Sequence, residues 1–184
     1  ASGIAAALVT AAIIREALRG AARPGHLVAY AIELASHPAL RAGVGEWLVG
    51  HPQAPTAHDA DAFLAAGLRE VVDALQRAHS AVAAFQSDPW ADDPCRFAGE
   101  GWRAQEALST ALLCADALPG DPIAALRRAT VTGGDSDSIA AVAGAILGAA
   151  QADNPWPAQW AQRLEPRYRT WIADAAQYRL GDPK

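Results

Sequence analysis

The sequence has no methionine, a single lysine (Lys184, the last residue) and two cysteines, and each shortage narrows what the chain can be. Without a Lys/Arg block to follow a phosphate backbone, nucleic acid is not an expected partner. The formal net charge of −5, with acids and bases interspersed, argues the same way. Cys95 and Cys114 stand far apart and form no CxxC pair, which excludes cysteine-based metal spacing. So few thiols suit a reduced, cytoplasmic setting. The histidines, His26, His37, His51, His58 and His79, show neither HxxxH nor HExxH spacing, so a histidine metal site is not expected. Ser109 and Ser138 lie in no nucleophile-elbow pattern. Long apolar runs are missing too. Ile4–Ile14 and Ile139–Ala150 each reach about half the length that spans a bilayer, and no basic segment with a cleavage site precedes them. No membrane span or signal peptide is expected.

What remains is an alanine-rich chain of 184 residues, 52% hydrophobic and 19% charged. That is a globular composition, sufficient for one sizeable core and read as a single domain over 1–184. No segment alternates with a period of two. Ile4–Arg19 is rich in Ala, Leu and Ile and stops at Gly20, a natural C-cap. Leu27–Ala35 is helical up to His37-Pro38, whereas Leu40–Val49, with Gly43 and Gly45, is a weak helix at best. Two prolines make a loop of His51–Thr56, and Asp59–Phe85 is a long amphipathic helix. Ser87–Gly101 is irregular, and a loop of that length in a compact domain tends to be functional or mobile. Helices follow over Ala104–Leu118, Ile123–Val131 (capped by Asp121-Pro122), Ile139–Ala150, and Trp160–Leu180 with a bend near Pro166. The fold class is all-α, a compact orthogonal helical bundle without internal repeats. The six tryptophans are expected to be core or half-buried anchors, Trp102 included, although its place beside a glycine loop leaves stacking on a ligand as its alternative.

The most informative run is Gly133-Gly134-Asp135-Ser136-Asp137-Ser138 leading into the apolar helix. The glycines let a ligand come close to the backbone. Asp135, Asp137 and Ser138 are hard oxygen donors of the kind that hold Mg²⁺, Mn²⁺ or Ca²⁺. Acids and serines also cap helices and are stabilised by the helix dipole, so local physics leaves capping and metal binding both open. Small residues behind the loop (Ala140, Ala143, Gly144, Ala145, Gly148) suggest a helix packed closely at the centre of the bundle. Asp92-Asp93, the one adjacent acidic pair, reads as a solvated turn flanked by prolines.

Gly-Gly-Asp-Ser-Asp-Ser followed by Ile-Ala-Ala-Val-Ala-Gly-Ala is similar to the C-terminal signature of the ADP-ribosylglycohydrolases. Upstream, Gly99-Glu100-Gly101-Trp102 with Glu106-Ala107-Leu108 and Thr110-Ala111-Leu112 resembles that family's glycine-containing substrate loop and its following helix. Downstream, Pro157 and Trp160 resemble its usual exit. The resemblance runs from about Phe97 to Leu180 and extends more weakly to the first helices. It implies a metal-dependent hydrolase that cleaves the glycosidic bond between ADP-ribose and an acceptor. Asp135, Asp137 and Ser138 then stand as ligands to Mg²⁺ or Mn²⁺, two cations per complete site. Gly99, Glu100, Gly101, Trp102, Gly133 and Gly134 flank the ADP-ribose. In such a site the paired cations orient the ribose hydroxyls and lower the pKa of an attacking water, and a nearby carboxylate, unassigned here, handles the proton.

The departure is as specific. The family's Gly-Asp-rich opening segment and Thr-Asp-Asp-type cluster have no counterpart in the sequence, which begins at Ala1. The expectation is therefore a C-terminal portion with the N-terminal half missing, inactive by itself, and self-associating through helices that the absent half covers. A non-catalytic ADP-ribose-binding relative, or a helical protein-interaction domain with a capped helix, stand as alternatives.

Overall fold

The computed structural model describes residues 1–41, 44–54 and 56–177; the expectations at Gly43, at Pro55 and for the end of the last helix, 178–180, lie outside them. The chain forms two compact units, Ala1–Asn154 and Pro155–Lys184. Among the described residues all regular structure is helical apart from one isolated bridge between His51 and Ala54.

In the larger unit, α1 (Ser2–Leu18) and α2 (Leu27–Ser36) are followed by a 3₁₀ turn (Pro38–Leu40), a short α3 (Val44–Leu48) and the long α4 (Ala57–Ser87). Then come a single turn α5 (Cys95–Ala98), α6 (Ala104–Ala117), α7 (Pro122–Thr130) and α8 (Ser136–Ala149). Caps set several boundaries. Thr56 Oγ1 accepts from Asp59 N–H at 3.1 Å to open α4, and Asp121 accepts from Ala124 N–H at 2.9 Å to open α7. His37 and His51 each use Nδ1 to accept a backbone N–H two residues on, a turn-closing role rather than a ligand's.

The helix at the centre is α6, not α8 as the small residues suggested. Gln105 and every α6 residue from Ala107 to Ala117 are buried, and α6 packs against α1, α2, α4, α5, α7 and α8. Leu108, Leu112 and Leu113 are fully enclosed, each contributing about 1.5–3 kcal/mol by burial. By contrast α8 buries one stripe, Ile139, Ala143, Ile146 and Leu147, while Ala141 and Ala145 face outward. Small side chains permit close packing, but they equally permit an open groove, and α8 has both. The last turn of α6 also organises α2 at long range: the buried Asp116 carboxylate accepts from Gly25 N–H (2.7 Å), Leu27 N–H (2.9 Å) and Val28 N–H (2.8 Å). Burial pushes its carboxyl up from the ordinary value, and those three donors oppose the rise.

The tryptophans are not core anchors. Trp47, Trp90, Trp102, Trp160 and Trp171 are exposed and Trp156 is half-buried. The enclosed positions are filled mainly by alanine, leucine, isoleucine and valine, with Phe85 the one buried aromatic among the described residues. Both cysteines are buried as free thiols. The smaller unit holds α9 (Ala158–Arg163) and α10 (Pro166–Gln177), separated before Pro166, with Trp156 stacked on Trp160 at 5.9 Å between ring centres. No helix among the described residues is long and apolar enough to cross a membrane.

Candidate functional site

Two loops far apart in sequence meet at the start of α8. The first, Gly99–Arg103, hangs from α6. The buried hydroxyls of Ser109 and Thr110 donate to the carbonyls of Ala98 and Gly99, both at 2.8 Å, so the central helix holds the loop by its backbone. Gly99 and Gly101 adopt φ of 110° and 87°, conformations that favour glycine. A Cβ on Gly101 would also stand 2.9 Å from the Ile139 side chain, so only glycine lets this loop lie against the first turn of α8.

The second loop, Thr132–Asp135, is tied to the first by one backbone bond: Asp135 N–H donates to Glu100 C=O at 2.7 Å. Gly134 makes that approach possible, because any side chain there would collide with the Glu100 carbonyl. Gly133 N–H donates to Asp93 Oδ2 at 2.7 Å, and Asp93 Oδ1 accepts from Cys95 N–H at 3.0 Å. Asp92-Asp93 is accordingly no free solvated turn. Asp92 pairs with Arg96 at 2.8 Å, and its carboxyl is held below the usual range by the Asp93 N–H and then by Arg96. Behind the pair, the buried Arg128 of α7 donates to the carbonyls of Pro89, Asp92 and Val131 and lies 5.2 Å from the Trp90 ring centre. The Asp-Pro step at 93–94 carries the same start signal as Asp121-Pro122. Reading it that way would have flagged Asp93 in the sequence.

Asp135 occupies the N-cap position of α8 but makes no side-chain capping hydrogen bond. Asp137 and Ser138 stand in the first turn, exposed. Hydrogen bonding with the Asp137 carboxyl, and next with the Ser138 hydroxyl, holds the Asp135 carboxyl below its ordinary value. Asp135, Ser138, Gly101 and Trp102 line one groove of about 540 Å³ between α1 and α8, whose far wall is Gly3, Ala7, Thr10, Ala11 and Ile14. Trp102 is 70% exposed at its edge. The remaining residues expected at the site divide. Gly134 and the Glu100 backbone join the two loops outside the groove's lining, while Gly133 lies on a separate hollow of about 320 Å³ with Trp90, Asp92, Asp93 and Arg128. Among the described residues no three His, Cys, Asp or Glu side chains converge as a ready metal cluster.

The sequence model of the ADP-ribosylglycohydrolase family matches residues 1–183. This chain belongs to that family. No curated protein and no solved structure matches it. Its all-helical bundle is the architecture of ADP-ribosylglycohydrolases, hydrolases of ADP-ribosylated substrates whose activity is generally metal-dependent. The two segments whose motifs resemble the family, Gly99–Trp102 and Gly133–Ser138, are those joined by the Asp135–Glu100 bond.

Proposed function

We propose that the groove beside α8 is part of an ADP-ribose hydrolysis site, with Asp135, Asp137 and Ser138 holding Mg²⁺ or Mn²⁺. Gly99, Glu100, Gly101, Trp102 and Gly134 lie along the ADP-ribose, whereas Gly133, the remaining glycine of the motif, faces the neighbouring hollow. The observation that carries this reading is the groove itself, where Asp135 and Ser138 of one loop meet Gly101 and Trp102 of the other. Its donor set fits a hard divalent cation, being all oxygen. Such a cation, when bound, orients the ribose hydroxyls and lowers the pKa of a bound water. The chain's own residues hold the two loops in register, offer backbone close to the sugar at the glycines, and present Trp102 at the rim. Two carboxylates and a hydroxyl fill about half of a six-coordinate shell. We take the other positions to fall to water and to ligands outside Asp135–Ser138, and expect slow or no hydrolysis by this stretch alone.

A second reading, a non-catalytic ADP-ribose-binding relative, is favoured by the lack of a Thr-Asp-Asp-type cluster in the sequence. One pair of titrations separates the two. Mn²⁺ binding, followed by water-proton relaxation, is expected to be weak in the native chain and lost in the Asp135→Ala/Asp137→Ala double variant. If binding persists in the double variant, the metal assignment is wrong. Calorimetric ADP-ribose binding that ignores both Mn²⁺ and the double substitution favours the second reading.

A further inference from the structure

We propose that Asp93 is a positioning residue, whose carboxylate sets the backbone of Gly133–Asp135 and through it the Asp135 side chain. The inference rests on the reading of Asp135 as a metal ligand, although the geometry stands without it.

Asp93 is half-buried and uses both oxygens on backbone: Oδ1 takes Cys95 N–H at the first residue of α5, while Oδ2 takes Gly133 N–H from a distant part of the chain. Gly133 is exposed, so water is available to its N–H and burial does not demand this bond. The bond therefore contributes register more than stability. Gly133 is suited to it because a Cβ there would run into Asp93 Oδ2. The base of the carboxylate is held as well. Asp93 N–H donates to Asp92 Oδ1 at 2.8 Å, and Arg128 grips the carbonyls of Asp92 and Val131, one on each side of the Asp93–Gly133 contact. Two residues on from Gly133, Asp135 N–H is fixed to Glu100. With both ends of Gly133–Asp135 pinned, the peptide between them has little freedom left, which is what precise placement of a metal-binding carboxylate requires.

The test compares Asp93→Asn with the native chain by two-dimensional amide NMR and by Mn²⁺ titration. The asparagine side chain retains one carbonyl oxygen and can serve Cys95 or Gly133, but not both. The expected result is an upfield move of the Gly133 amide proton, with shifts at Gly134 to Ser138, and a drop in Mn²⁺ affinity of about tenfold. Asp92→Asn, which keeps an oxygen for Asp93 N–H, is the control and should leave 133–138 in place. Gly133→Ala attacks the same contact from the other side, and it serves if Asp93→Asn does not fold. Shifts confined to residues 92–97, with 133–138 unmoved, overturn the inference. Shifts at 133–138 in a chain whose Mn²⁺ binding does not depend on Asp135 leave the positioning intact and sink the metal reading instead.

Discussion

The amide of Asp135 is bonded to the carbonyl of Glu100 at 2.7 Å, and Gly134 is the residue that allows it. Gly134→Ala should therefore break the junction of the two loops, since the added methyl meets backbone that cannot rotate away. A loss of about 2 kcal/mol or more is expected, seen as a melting temperature lower by several degrees. Gly3→Ala, where nothing lies within 4 Å, is the matching control and should be neutral or slightly stabilising. Equal melting temperatures for the two variants would refute the close approach.

Arg128 holds the 88–93 segment through the carbonyls of Pro89 and Asp92 and ties it to that of Val131 at the end of α7. Arg128→Met keeps the stem and removes every donor. The variant should lose about 2–4 kcal/mol, as carbonyls shaped around the guanidinium are left unpaired, and limited proteolysis should open the chain near Trp90. Native resistance to cleavage there would show that the segment is held by other means.

Asp116 satisfies three N–H groups at the start of α2. Asp116→Ala leaves them without acceptors and should cost about 3 kcal/mol, whereas Asp116→Asn recovers part of that by keeping one carbonyl oxygen. Denaturant unfolding of the three proteins should rank the native chain first, the asparagine variant second and the alanine variant last. If the two variants are equally stable, the carboxylate is not acting as the cap.

Cys114 lies deep in α6, and burial pushes its thiol from 9.0 up to about 12. Between those values the folded chain keeps a proton that the unfolded chain releases, so stability falls as pH rises above 9.0. The decline approaches about 1.4 kcal/mol per pH unit for this one group. Cys114→Ala should be less steep over that window and indistinguishable in slope near neutral pH. Parallel curves throughout would contradict the burial.

Much of the fold is legible before any coordinates. The helix start at Asp121-Pro122, the stop at Gly20 and the break before Pro166 follow from capping chemistry and proline geometry confined to a few residues. The site is legible only as two separate strings. Gly133–Ser138 stands out by its glycines and oxygen donors and Gly99–Trp102 by its resemblance to the family's substrate loop, but nothing local states that one carbonyl of the second receives an amide of the first. The Asp93-Pro94 step signals a turn or helix start, but its second partner, Gly133, is distant in the chain and nothing local says that the carboxylate reaches it.

The sequence by itself determined that the chain is helical, where most helices begin and end, and which side chains carry hard oxygen donors, because those properties depend on neighbours within a turn or two. Tertiary structure alone decided that α6 rather than α8 takes the centre, that Asp135 at the start of its helix also lines a groove, and that Asp93 and Glu100 hold the loop it stands on. Small residues and acids have more than one low-energy use, and only contacts between distant segments select among them.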